Sequence, residues 1–120
     1  MSTTQNKILH LSLKQEWFDL IKSGVKLEEY REITPYWIKR LTDIEKYKHQ
    51  LNTLIMTGKP VPMKHFTHVH FTLGYPKKDD LKRHMTFEIE KITINTGKPE
   101  WGAEENKQYF VIKIGKKVNL

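Results

Sequence analysis

The chain has no cysteine among its 120 residues. That absence excludes disulfides, thiolate metal ligands and a cysteine nucleophile together. No apolar run approaches the roughly 20 residues that a membrane-crossing helix needs. Met1 to Lys7 also lacks the apolar core of a signal peptide. A cytoplasmic protein with no membrane partner is therefore expected. No internal repeat, low-complexity tract, P-loop, dinucleotide fingerprint or Ser-His-Asp arrangement can be read in the chain. No cofactor is expected.

What the chain does have is positive charge. Its 21 Lys and Arg residues outnumber 14 Asp and Glu, for a net charge of +7. Such a surface attracts polyanions over about a Debye length, ~10 Å at moderate salt. RNA, or a nucleotide-like small molecule, suits it better than an acidic protein. Aromatic residues make up 11% of the chain and supply large buried areas. The length predicts one domain over residues 1–120.

Ile8 to Leu13 reads as a short apolar strand. Ser12-Leu13-Lys14-Gln15 has the form of a capping box, opening a helix that carries Leu13, Trp17, Leu20 and Ile21 and stops at Ser23-Gly24. Residues 26–32 read as a second strand, with Leu27, Glu29 and Arg31 on one face and Glu28, Tyr30 and Glu32 on the other. Thr34-Pro35 starts another helix. Thr42-Asp43-Ile44-Glu45 restarts it, and Ile44, Tyr47, Leu51, Leu54 and Ile55 continue at helical spacing. Lys59-Pro60-Val61-Pro62 reads as a loop.

The second half reads as all β. Strands are predicted over Phe66 to Leu73, Met85 to Ile94 and Tyr109 to Ile114, the middle one with a bulge or bend where its apolar parity switches between Ile89 and Ile92. The order β-α-β-α-α-β-β-β favours an α+β fold, a small mixed barrel with flanking helices, over a doubly wound sheet.

Gly24, Lys26, Glu29 and Arg31 form the pattern Gly-x-Lys-x-x-Glu-x-Arg. With Leu11 to Lys14, Trp17-Phe18, Tyr36-Trp37, Arg40-Leu41, Phe71…Gly74-Tyr75, Pro99 to Gly102 and Tyr109 to Ile112, the chain resembles an ASCH domain of the PUA-like superfamily. The resemblance implies a PUA-like β-barrel, a cleft beside the signature strand, and RNA binding; residues 43–65 would be a helical insertion. Some small bacterial relatives are hydrolases, one an amidohydrolase acting on acetylated cytidine and another described as a ribonuclease. In that amidohydrolase the matching stretch has Thr where this chain has Glu29, and a Glu from later in the chain takes part. Glu29 argues against a hydroxyl nucleophile here, and Glu100, beside Trp101, is the candidate for the later Glu.

Lys26, Glu29 and Glu100 are then the catalytic candidates if the protein is an enzyme. Lys26, Glu29, Arg31, Tyr30, Tyr75, Lys77, Lys78 and Trp101 are the ligand- or RNA-binding candidates. Lys26 is suited to pair with a phosphate or to act as a desolvated base. Arg31 is suited to hold Glu29 or to fork onto a phosphate. Against these stands a purely structural ion pair of Glu29 with Arg31. Trp101 is either a base-stacking platform or a ring packed back on the barrel rim. Trp17, Trp37 and Phe18 read as core. His65, His68 and His70 include a His-x-His, yet no third ligand has suitable spacing, so no metal is expected. A third reading makes the 43–57 helix a protein-docking surface.

Overall fold

In the computed structural model, residues 5–44, 51–58 and 60–119 are described. The strands are β1 (Ile8–Leu13), β2 (Glu28–Glu32), β3 (His68–Leu73), β4 (His84–Thr96) and β5 (Gln108–Val118). The helices are α1 (Gln15–Lys22), α2 (Pro35–Leu41) and α3 (Leu51–Met56), with 3-10 turns at Leu81–Arg83 and Pro99–Trp101. The strands form one mixed sheet in the order β1-β3-β4-β5-β2. β1 and β3 run parallel, and β3 and β4 antiparallel. The fold is α+β, in the element order the sequence predicts.

The chain divides into two compact units: residues 1–29, 66–91 and 112–120 form the first, and residues 30–65 and 92–111 the second. In the first, alternation along β1 buries Leu9, Leu11 and Leu13, and β3 buries Val69 and Phe71. Helix α1 packs against β3 and buries Phe18 and Ile21. In the second, Tyr30, Ala103, Tyr109 and Val111 form a buried cluster against which Trp101 packs.

Helix α2 starts as the sequence suggests. Thr34 is its N-cap, its hydroxyl accepting from the Trp37 N–H at 3.4 Å, with Pro35 in the first turn. The capping box at Ser12 does not form. Ser12 lies in β1, its hydroxyl donates to the Gly74 carbonyl, and Lys14 is the α1 N-cap without a side-chain bond. Leu13 likewise belongs to the strand. Pairing with β3 through Leu13↔Leu73 satisfies the backbone of this segment in the sheet. β4 runs unbroken through the position of the expected bulge. The parity switch falls where the strand leaves the first unit at Lys91 for the second at Ile92.

Glu45 to Gln50, with the Glu45 end of the second capping box and Tyr47 of the insertion helix, lie outside the described residues, as do Met1 to Thr4 and Lys59. α3 covers the Leu51 to Ile55 part of that helix. Among the described residues no helix is long and apolar enough to cross a membrane.

Candidate functional site

The signature residues are placed by the way α1 ends. Gly24 adopts the left-handed backbone, φ +82°, that glycine reaches without strain. The Val25 and Lys26 N–H groups then both donate to the Leu20 carbonyl at 3.0 Å. This turn sends the Lys26 side chain inward, where it is 1% exposed. Its Nζ donates to Glu29 Oε1 at 2.8 Å and lies 4.9 Å from the centre of the Trp17 ring. Taking both charges out of water is compensated by their contact and by the ring face. Among the described residues, every buried side-chain nitrogen or oxygen has a hydrogen-bond partner.

Arg31, two residues further along β2, belongs to the second unit and to an open cleft of about 410 Å³. Its Nη1 donates to the Tyr30 carbonyl at 2.7 Å, and its guanidinium lies 5.4 Å from the centre of the Trp37 ring. Arg40, one helical turn after Trp37 on α2, places its guanidinium 5.3 Å from the same ring. Tyr36 meets Trp37 edge-on at 4.8 Å. Trp37 is half-buried rather than core, which is the first correction to the reading of the tryptophans; Trp17 is half-buried too, while Phe18 is buried.

The cleft lining also includes two anchored aromatic residues. Tyr30 and Tyr109 sit 5.7 Å apart, and their hydroxyls accept from the Lys98 and Glu104 N–H groups at 3.0 Å each. Gly97 permits this packing: a Cβ there would lie 2.7 Å from the Ala103 Cβ and 2.8 Å from the Tyr30 ring. Lys107 reaches Glu32 at 3.0 Å and Glu104 at 3.7 Å. The Glu32 hydrogen bond above all, with the Glu104, Glu32 and Tyr109 charges, holds Lys107 above the usual lysine range, against a smaller effect of burial.

The remaining candidates divide between the units. In the second, Trp101 packs against the Tyr30 cluster with the Lys98 Nζ 4.5 Å over its ring, and Glu100 is exposed on the 3-10 turn. In the first, Tyr75 is 97% exposed at the turn after β3, and Lys77 and Lys78 are exposed in the connection to β4. Glu29 binds Lys26, so the ion pair weighed for Glu29 has Lys26 as a partner. Among the described residues no group of three His, Cys, Asp or Glu side chains is placed to hold a metal ion.

Sequence reasoning missed Trp37 and Tyr109 as cleft residues. The signal available for Trp37 was Arg40 three positions later, which places a cation on the same helical face. Tyr109 carried none, because its wall is built from segments distant in the chain. No family model, curated protein or solved structure matches this chain.

Proposed function

We propose that the protein is an ASCH-type, PUA-like module of the cytoplasm that binds RNA, or a nucleotide-sized piece of it, in the cleft beside Arg31 and Trp37. The observation that carries this reading is the guanidinium of Arg31 lying 5.4 Å from the Trp37 ring at an open cleft. A planar cation beside an indole offers a phosphate fork within one nucleotide's reach of an aromatic ring. The net charge of +7 supports it by drawing a polyanion toward the surface. The chain order of the signature, Gly24, Lys26, Glu29 and Arg31, supports the ASCH assignment.

Within this reading Lys26 holds the signature strand to Glu29 and Trp17, and Arg31 meets the ligand. The hydrolase alternative draws on the same buried Lys26–Glu29 contact as its acid–base pair. Filter binding of single-stranded RNA across a salt series tests the proposal. Affinity should fall linearly with salt on logarithmic axes and weaken on Arg31→Ala. RNA that fails to bind at low salt overturns it. Turnover of an acylated nucleoside that is lost in Lys26→Ala would favour the hydrolase.

A further inference from the structure

The first unit carries a second arrangement that the RNA-binding reading does not use. Strand pairing sets His10 opposite His70 and His70 opposite Thr86. His84 lies one step diagonally along β4, opposite Thr72. The His10 and His70 rings are 5.5 Å apart, and the His70 and His84 rings 5.1 Å.

Three of these groups form a directed hydrogen-bond chain. His84 Nε2 meets the Lys77 carbonyl at 2.8 Å, His84 Nδ1 meets His70 Nε2 at 2.9 Å, and His70 Nδ1 meets the Thr86 hydroxyl at 2.7 Å. A carbonyl can only accept, so His84 carries a proton on Nε2. With both rings neutral, His84 Nδ1 accepts from His70 Nε2 and His70 Nδ1 accepts from the Thr86 hydroxyl. With a second proton on His84 the same contacts run the other way, His84 Nδ1 donating to His70 Nε2 and His70 Nδ1 to Thr86.

Among the described residues, the charged side chains lining the clefts around them are lysines. His70, His84 and Thr86 line a cleft of about 610 Å³ with Lys78, Lys117 and Asn119. A smaller cleft of about 260 Å³ shares His84 and Lys117 and adds Lys22 and Lys82. Among the described residues no carboxylate lines either cleft. Asp80, near in sequence, is engaged with Arg83 at 3.2 Å, and Asp79 is exposed. The titratable and charged groups on this face or lining the clefts are thus His10 from β1, His68 from β3 with Glu88 opposite it on β4, Lys78 from the β3–β4 connection, Lys22 from α1, Lys82 from the 3-10 turn and Lys117 from β5.

We propose that this histidine-and-lysine cleft is a phosphate-monoester site whose occupation is coupled to proton uptake by the His70–His84 pair. A dianion between Lys78 and Lys117 meets a positive charge from each. Protonating His84 on Nδ1 reverses the direction of the chain without breaking it, His84 then donating to His70 Nε2 at 2.9 Å and placing a positive charge beside the phosphate. Burial first, then the His10 and His84 charges, keep His70 below its ordinary range in the empty cleft. The negative charge of a bound dianion acts on His70 in the opposite direction.

The test is a titration of the whole protein with inorganic phosphate and, separately, with a nucleoside 5′-monophosphate, read by the NMR signals of the imidazole C–H groups. At matched ionic strength, phosphate is expected to raise the apparent pKa of the His70–His84 pair by about one unit, which makes binding about tenfold tighter on the acid side of the titration. Lys117→Gln should weaken binding, and His84→Gln should reduce its pH dependence toward that set by the phosphate's own titration. Equal affinity for both probes identifies the phosphate group alone as ligand; tighter binding of the nucleotide identifies an esterified phosphate. Either supports the site. Imidazole signals that do not move with phosphate, or that move equally with chloride, overturn it, whatever the outcome of the RNA experiment.

Discussion

Lys26 and Glu29 stand three residues apart, on either side of the start of β2, and close on each other at 2.8 Å with almost no solvent contact. A buried pair of this kind is more expensive to break than to replace. Removing one partner leaves an uncompensated charge, whereas an apolar pair of similar volume can be neutral. Glu29→Leu is expected to destabilise the fold by about 3–5 kcal/mol in chemical denaturation, and Lys26→Met combined with Glu29→Leu by much less. Equal losses in the single and double variants would show that the contact itself has little weight.

The cleft of the second unit separates charge from shape. Arg31→Lys keeps the charge and loses the planar fork over Trp37. It should weaken RNA binding nearly as much as Arg31→Ala while leaving the salt slope unchanged. Trp37→Ala should cost about 1–3 kcal/mol of binding free energy, the value of one stacked base. Filter binding at fixed salt measures both. An Arg31→Lys variant that binds as the natural protein does would reduce the role of Arg31 to that of a point charge.

Gly97 is needed for space. Because a Cβ there would strike Ala103 and the Tyr30 ring, Gly97→Ala is expected to lose about 1–3 kcal/mol of stability. Tyr30 lines the cleft, so the same variant should also weaken RNA binding. Denaturation and binding measured on one sample would link the two losses.

His70 sets a direction for stability against pH. Its folded pKa lies below the ordinary 6.5, so on acidification the unfolded chain takes up the proton first. Stability contributed by neutral His70 is present above pH 6.5, falls as pH drops below that value and levels off beneath the folded pKa. Thermal unfolding followed from about pH 8 to about pH 5 should show this loss, and His70→Gln should flatten it. Phosphate should also reduce the slope if it occupies the cleft.

Much of the local structure was legible because its causes are local. Gly24 ends α1 and Thr34-Pro35 opens α2 through bonds made within a few residues. Alternation in Val69 and Phe71 marks β3 because one face of a strand must leave water. Ser12 misled because its competing partner, the Gly74 carbonyl, lies 62 residues away. Trp37 misled for a related reason: helical spacing puts it on an apolar stripe, yet no residue of α2 says whether that stripe faces a core or a cleft.

The sequence by itself determined the order of helices and strands, the positive charge, the absence of thiol chemistry and the close spacing of Lys26, Glu29 and Arg31. Tertiary structure alone decided that Lys26 is sealed against Glu29 while Arg31 lines an open cleft, and that His10, His70 and His84 meet across three strands. The physical reason is range. Caps, turns and alternation act over a few residues, whereas burial and strand register are set by partners far along the chain, and these fix which charges meet water and which meet each other.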